Sequence, residues 1–162
     1  MNKEANLTAV EEGVATTEDF RAATVRAQEA IIRNGGVVGE ELDQLLPLKH
    51  QWGDGCYVRE LSAPAGTLAV TKIHKKAHPF FLMKGDVTVL TENGSKRITA
   101  PYYAITPAGT QRVVYTHTET QWVTVHATEL TDLEEIEDEI IAKSFEEIDM
   151  EKIVMALEEG QA

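Results

Sequence analysis

The stretch of sequence that decides the fold runs Gly66-Thr-Leu-Ala-Val-Thr-Lys72-Ile-His74-Lys-Lys-Ala-His78-Pro-Phe-Phe-Leu-Met-Lys-Gly85. Short segments rich in Val, Ile, Thr and aromatic residues lie between glycines, which is typical of β-strands joined by turns. Lys72 and His74 are two residues apart, so on a strand their side chains share one face. The segment therefore predicts a β domain that carries a polar, basic site.

The same pattern extends from Pro47 to Ala127. Eight short segments are predicted strands: 56–61, 67–74, 80–83, 86–91, 96–99, 102–106, 111–116 and 121–126. Asn93-Gly94 is a strong hairpin signal, because both residues tolerate the backbone angles of a tight turn. Closely spaced strands with no helical pattern between them predict an antiparallel sandwich or barrel.

Segment 66–85 resembles the first motif of the cupin superfamily, G-x5-H-x-H-x3-4-E-x6-G, with every spacing kept. Gly66 and Gly85 match the two glycines, and His74 matches the second histidine. Lys72 stands at the first histidine of the motif, and His78 stands at the glutamate. The resemblance implies one jelly-roll barrel over about residues 47–128, with a degenerate metal motif.

A second resemblance follows about twenty-two residues later, at Pro107-Ala-Gly109-Thr-Gln-Arg112. It is similar to the second cupin motif, G-x5-P-x-G-x2-H-x3-N, with Arg112 in place of the histidine. Of the four metal ligands of the family, only His74 keeps its residue type. The resemblance therefore implies the fold more strongly than it implies metal chemistry.

In the cupin family the shared face of these strands is the barrel interior. We therefore expect five basic residues to converge on one inward-facing pocket: Lys72, His74, His78, Arg112 and His126. Trp122, Phe81 and Tyr103 are predicted walls of the pocket. Tyr57 and Arg59, on the first predicted strand, are expected at its rim. His50 and His117 are expected at the surface, and Cys56 is expected to be a packing residue.

Two kinds of ligand suit such a pocket. A cluster of Lys, Arg and His matches a carboxylate or a phosphate, which Arg112 would bind through two hydrogen bonds. The alternative is one divalent transition metal ion held by His74, His78 and His126, because first-row metals favour neutral imidazoles. Lys72 and Arg112 argue against the metal, since cations beside a 2+ ion repel it. A purely structural interpretation pairs Arg112 with Glu60 or Glu119.

Charge is distributed unevenly along the chain, whose net charge is −12. Residues 1–46 carry −5, residues 47–128 carry +4, and residues 129–162 carry −11, and all five histidines lie in the middle segment. We interpret these segments as an acidic helical extension, the β-barrel and an acidic helical tail. A helix is predicted over about 17–34, with Phe20, Ala23, Ala27 and Ile31 on its apolar face. Thr131-Asp-Leu-Glu134 and Ser144-Phe-Glu-Glu147 predict the starts of two amphipathic C-terminal helices.

Composition excludes several classes of function. The negative charge argues against general binding to nucleic acids or to anionic membranes, both of which require positive surface. One cysteine forms no internal disulfide, and no apolar run reaches the length of a membrane span. The N-terminal residues lack the apolar block of a signal peptide. These features predict a cytoplasmic protein.

Three functions remain open from the sequence. The first is a small-molecule-binding cupin that takes a small anionic or polar ligand. The second is a metal-dependent cupin enzyme of isomerase or dioxygenase type. The third is a structural or assembly role, because segments 57–61, 66–85 and 122–126 resemble small cupin-domain proteins of tailed bacteriophages. If the chain is phage-encoded, the expected location is the host cytoplasm or the virion. We expect at least a homodimer. A further hypothesis is that the acidic tail folds over the basic pocket of its own chain or of a partner chain and acts as an internal anion.

Overall fold

The computed structural model describes residues 17–36, 40–91 and 94–148. The described helices are α1 (Thr17–Arg33), α2 (Glu40–Leu45) and α3 (Leu133–Ile140). The strands are β1 (Leu48–Gly53), β2 (Cys56–Ala63), β3 (Leu68–Val70), β4 (Ile73–His74), β5 (His78–Lys84), β6 (Asp86–Thr91), β7 (Gly94–Thr99), β8 (Tyr102–Thr106), β9 (Val113–Thr116), β10 (Thr120–Ala127) and β11 (Ile141–Ala142).

Two antiparallel sheets form the barrel in the described part of the chain, and β4 and β11 pair in a third, two-stranded sheet. The five-stranded sheet has the order β1-β2-β10-β5-β8, and the four-stranded sheet has the order β3-β9-β6-β7. Phe80 and Leu82 of the first sheet pack against Val87, Val89 and Ile98 of the second. The apolar core therefore lies between the sheets, and the predicted mainly β jelly-roll fold with flanking helices is confirmed.

The step from one sheet to the other at the end of β5 depends on a glycine. Gly85 has φ +108°, and a Cβ atom there would lie 2.6 Å from Thr120 Oγ1 and 2.8 Å from the carbonyl oxygen of Glu119. Both the backbone angle and the close approach exclude a side chain at this position. The second glycine of the quoted segment is thus required by the way β5 leads into β6.

Four strand predictions need correction. The expected strand 67–74 is broken into β3 and β4, and the expected strand 111–116 begins only at Val113, so Arg112 lies just before β9. β11 was not expected. β1 was also missed, although it forms a hairpin with β2 through Asp54 and Gly55, with Gly53 opposite Cys56. Asp-Gly is a hairpin signal that the sequence offered.

The predicted N-terminal helix is confirmed as α1, which ends where Gly35 adopts φ +86°. Its buried residues are Phe20 and Thr24, whereas the expected Ala23 is exposed. The connector that follows contains α2, which the sequence did not indicate. None of the described helices has the length and apolar character needed to cross a membrane.

The acidic tail begins with α3, whose apolar face is Ile136 and Ile140. Asp132, rather than the expected Thr131, caps this helix by accepting hydrogen bonds from two backbone amides. Where a second helix was predicted, the structure describes one 3₁₀ turn, Phe145–Glu147. The rest of that prediction lies outside the described residues. α3 then leads into β11, which pairs with β4 and joins the tail to the barrel.

Candidate functional site

A cavity of about 170 Å³ lies between the two sheets. Its lining includes five of the predicted pocket residues, namely Lys72, His74, His78, Arg112 and Trp122. The volume is small beside the roughly 300–1,000 Å³ of sites for drug-sized ligands. We refer to it as the barrel cavity, and its size suits a small molecule.

Inward-facing residues of the five-stranded sheet form rows that cross the strands. The register gives an arginine row (Arg59, Thr124, Phe80) and an apolar row (Leu61, Trp122, Leu82). It also pairs Tyr57 with His126 and His78 with Thr106, and the rings of His78 and His126 lie 4.5 Å apart, so these four residues form a histidine row. Successive rows are two residues apart along each strand, which is about 7 Å. The side chains of the barrel cavity are therefore arranged in layers of different chemistry.

Three imidazoles meet in the histidine row. His78 and His126 come from β5 and β10, and His74 reaches them from β4. Their ring centroids lie 4.2 Å (His74–His78), 4.5 Å (His78–His126) and 5.2 Å (His74–His126) apart. One nitrogen from each ring lies within 4.8 Å of the others. We call these three residues the histidine triad.

The histidine triad is neutral at ordinary pH. Burial, followed by repulsion from the other two imidazoles and from Arg59 and Arg112, lowers the pKa of His74 to about 2. Burial and the neighbouring His78 and Arg59 lower the pKa of His126 to about 3. Burial also lowers the pKa of His78, against a backbone hydrogen bond that raises it.

The hydrogen-bond partners of two rings, His78 and His74, leave one nitrogen of each available to a ligand. His78 Nδ1 lies 3.2 Å from the carbonyl oxygen of Lys76, and since that oxygen only accepts, Nδ1 carries the proton and Nε2 is free to bind a ligand. His74 Nε2 is buried without a hydrogen-bond partner among the described residues. An unpaired buried nitrogen is costly. The donor set therefore fits a divalent transition metal ion, which binds neutral imidazoles.

Arg112 enters the barrel cavity from the opposite sheet. Its Nη2 atom donates to Thr106 Oγ1 at 2.8 Å, and its guanidinium lies 4.9 Å from the centroid of the Phe80 ring. Burial lowers the pKa of Arg112, with no carboxylate beside it among the described residues that line the cavity. The expected structural pairing of Arg112 is wrong, because Glu60 pairs with Lys49 and Glu119 pairs with Lys84.

Lys72 does not join the histidines in the interior as predicted. It lies at the mouth of the barrel cavity, where its amine forms an ion pair with Glu137 of α3, and both side chains are about half exposed. The physical reason is that a charged amine is stabilised by water and a carboxylate and is destabilised by burial. Lys72 therefore places no buried charge beside the triad, whereas Arg59 and Arg112 remain close enough to lower the pKa of His74.

The described part of the acidic tail contacts the basic segment of its own chain through ion pairs with three lysines. Besides the Lys72–Glu137 pair, Lys76 contacts Glu139 at 2.7 Å. Lys75 lies 3.5 Å from a carboxylate oxygen of Glu147 in the 3₁₀ turn. These carboxylates engage the outer cations, and within the described ranges none of them contacts Arg112.

Tyr57 lies deeper than the rim position that was predicted for it. Its side chain is 3% exposed and packs against Ile136 and Ile140 of α3. Its hydroxyl lies 2.7 Å from His50 Nδ1, so His50 is half-buried and hydrogen-bonded rather than a surface residue. Tyr57 lines a second cavity of about 250 Å³ beneath α3, and Arg59 lines both cavities.

Two predicted walls face away from the barrel cavity. Phe81 and Tyr103 contact each other on the outer face of the five-stranded sheet, and Tyr103 is 76% exposed. Side chains alternate along a strand, so the inward position of Phe80 directs Phe81 outward. Trp122 does face inward, stacked on Phe80 at 4.5 Å. His117 lies half-buried outside the site, hydrogen-bonded to Thr88.

Sequence comparison assigns no family: no family model matches the chain, and no curated protein matches it. The chain is similar to solved structures that include cupin domains. One is the Cnp3 cupin domain of Schizosaccharomyces pombe, at 16% identity over 56% of this chain and 76% of that one, with a TM-score of 0.46. Another is a cupin domain from Bordetella pertussis, at 20% identity over 51% and 93%, with a TM-score of 0.41.

A third similar structure is a point mutant of salicylate 1,2-dioxygenase from Pseudoaminobacter salicylatoxidans. It shares 13% identity over 74% of this chain and 38% of that one, with a TM-score of 0.46. Likenesses at this level say nothing about activity. The strand topology and the site define a jelly-roll β protein with a cavity that His74 and His78 line, and His126 packs against both of these rings.

Proposed function

We propose that this chain is a metal-dependent small-molecule-binding barrel, in which His74, His78 and His126 hold one divalent transition metal ion. The observation that carries the proposal is the convergence of three neutral imidazoles, with one nitrogen from each within 4.8 Å of the others. The buried, unpartnered Nε2 of His74 supports it, because a metal ion would satisfy that atom.

Three imidazoles leave coordination positions open for a ligand, as in metal sites that act on substrates. When bound, such an ion would supply Lewis-acid polarisation of a ligand oxygen. The histidines themselves serve as ligands rather than as acids, because their lowered pKa values leave them unprotonated near neutral pH. An enzyme of isomerase or dioxygenase type is compatible with this site.

The second part of the proposal is that the ligand is a small anion. Arg112 is a cation inside an apolar cavity, and none of the described side chains that line this cavity is a carboxylate. Its guanidinium retains donors beyond the bond to Thr106 and can orient a carboxylate. An anion placed between Arg112 and the metal would offset the repulsion between the two positive charges. Trp122 and Phe80 limit water around it.

Binding of Co²⁺ to the full chain tests the metal site. After treatment with a chelator and dialysis, the wild-type protein should bind one equivalent of Co²⁺, with the visible absorption bands of cobalt in nitrogen ligation. His126→Ala should lower the affinity by at least about tenfold, since it removes one of three ligands. His117→Ala is the matched control, because His117 is a half-buried histidine outside the triad.

Equal Co²⁺ affinity in His126→Ala and wild type would contradict the metal site. If no metal binds at the triad while small carboxylates still stabilise the protein through Arg112, the chain is a metal-free anion-binding module. That outcome would support the second part of the proposal without the first.

A further inference from the structure

We propose that Arg59 and Arg112 form a two-point receptor, and that the ligand of the barrel cavity is a small dicarboxylate. This inference deepens the proposed function, because it takes the cavity beside the histidine triad as a binding site for an anion. It names the class of that anion and assigns a role to Arg59, which the sequence placed only at the rim.

Arg59 is an unpaired cation in the wall of the barrel cavity. It belongs to β2 and lines both this cavity and the second cavity beneath α3. It forms no ion pair or hydrogen bond with the described residues, whereas Lys72 beside it is paired with Glu137. Arg59 is also close enough to His74 and His126 to lower the pKa of both. Among the described residues, the carboxylate that lines the second cavity with Arg59 is Glu137, which is paired with Lys72.

Arg59 lies at one end of the arginine row, and Arg112 reaches the other end from the opposite sheet. In the register, Arg59 is opposite Thr124, and Thr124 is opposite Phe80, over whose ring the Arg112 guanidinium lies. Two strand spacings separate the Cα of Arg59 from that of Phe80, which is about 10 Å. A single anionic group at either end would leave the other cation unpaired. Two carboxylates on a short chain would meet one guanidinium each.

The surroundings favour a short dicarboxylate over a larger or more polar dianion. The volume of the barrel cavity, about 170 Å³, limits the number of atoms between the two charges. Trp122 and Leu61 of the apolar row form its floor, so the middle of the ligand contacts hydrocarbon. Thr124, between the arginines, also contacts His126 Nε2 at 3.0 Å, which connects this row to the triad.

Calorimetric titration of the full chain with succinate and with butyrate tests the inference. Both ligands have four carbon atoms, but succinate has two carboxylates and butyrate has one. We expect wild type to bind succinate at least about tenfold more tightly, the effect of one charge-assisted pair. Arg59→Gln should reduce that preference to about the level of equal binding, while Arg59→Lys should keep part of it. Arg97→Gln is the matched control, because Arg97 is exposed and pairs with Asp86 outside the cavity.

Equal binding of succinate and butyrate by wild type, or an unchanged preference in Arg59→Gln, would overturn the two-point receptor. Tighter binding of inorganic phosphate than of succinate would overturn the dicarboxylate assignment in favour of a compact dianion. Each titration is run on Co²⁺-loaded and metal-free protein, with Co²⁺ stoichiometry measured separately. If the protein binds one Co²⁺ but does not prefer succinate over butyrate, only this inference is refuted. If it prefers succinate but binds no Co²⁺, only the metal site is refuted.

Discussion

His74 stays uncharged in the fold because its ring is removed from water and faces two other imidazoles and two arginines. A protonated ring there would carry a buried charge beside other cations. The same burial leaves Nε2 without a hydrogen-bond partner among residues 17–36, 40–91 and 94–148. A residue that binds a metal ion well is thus also a residue that makes the metal-free protein sensitive to acid.

We predict that the metal-free protein loses stability as pH falls below about 6.5. The pKa of His74 is about 2 in the fold and 6.5 without its surroundings, so at intermediate pH the unfolded state binds more protons. Stability from this group is complete above pH 6.5 and decreases as pH falls, by about 2 kcal/mol for His74 between pH 6.5 and 5. His126 contributes in the same direction.

Denaturant unfolding at pH 7, 6 and 5 with a chelator present measures how the free energy of unfolding changes with pH. His74→Leu should reduce the pH dependence, because leucine takes up no proton, while His126 retains its own contribution. His117→Ala should leave the pH dependence unchanged. An equal slope in wild type and His74→Leu would show that His74 is not the acid-sensitive group.

At the scale of elements, α3 is held to the barrel by two different kinds of contact. Ile136 and Ile140 are buried against Tyr57, with 1% and 3% of their surfaces exposed. The ion pairs of Glu137 and Glu139 with lysines lie in solvent, where each is worth about 0–1 kcal/mol. Burial of the isoleucines should therefore decide whether α3 stays on the barrel.

We predict that Ile136→Ala lowers the free energy of unfolding by about 2–5 kcal/mol, the usual cost of truncating a fully buried aliphatic side chain. The matched variant on the same helix is Leu133→Ala, whose side chain is 42% exposed and should cost much less. The double variant Glu137→Gln/Glu139→Gln should cost less than Ile136→Ala. Equilibrium urea unfolding of wild type and the three variants measures these free energies. If the double glutamate variant lost more free energy of unfolding than Ile136→Ala, the ion pairs rather than the isoleucines would hold α3 on the barrel.

The elements also show how much the sequence could predict. The antiparallel fold could be predicted from the alternation of residues in the strands and from the turn residues Gly85 and Asn93-Gly94. Both are local properties of the sequence. The inward face of Trp122 and His126 followed from the same alternation. Lys72 was misplaced because Glu137 lies 65 positions away along the chain, and no local pattern shows that α3 brings it to the mouth of the cavity.

The register across strands was the other missing information. Phe81 and Tyr103 were expected inside, but one residue of register reverses the face of a side chain. Arg59 gained its role only when pairing placed it in the same row as Thr124 and Phe80. Periodicity identifies which residues of one strand share a face, whereas the row depends on strand partners that are distant in sequence.

The exterior of the whole molecule bears on assembly. β8 is an end strand of the five-stranded sheet, and it carries the exposed Tyr103 and Ile105. A second copy that covered this edge would bury apolar side chains and unpaired backbone groups. The expected homodimer stays a prediction, as do a phage-associated role and the compartment.

At the same scale, a metal ion should join parts of the chain that the sheets leave separate. His74 is on β4, which pairs with β11, while His78 and His126 belong to the five-stranded sheet. An ion bound to all three would link β4 to that sheet in the folded state, so it stabilises the fold by mass action. At a free concentration about 100 times the Kd, the gain is about 2.7 kcal/mol.

We predict that Co²⁺ at that concentration raises the Tm of this 162-residue chain by about 5–10 °C. Differential scanning calorimetry with and without Co²⁺ measures the shift, and Mg²⁺ serves as the control ion because it prefers oxygen ligands. His126→Ala should lose the Co²⁺ shift, and His117→Ala should keep it. A Co²⁺ shift that survives in His126→Ala would place the stabilising ion elsewhere on the molecule, and the absence of a shift in wild type would mean that the triad does not bind the ion in the folded state.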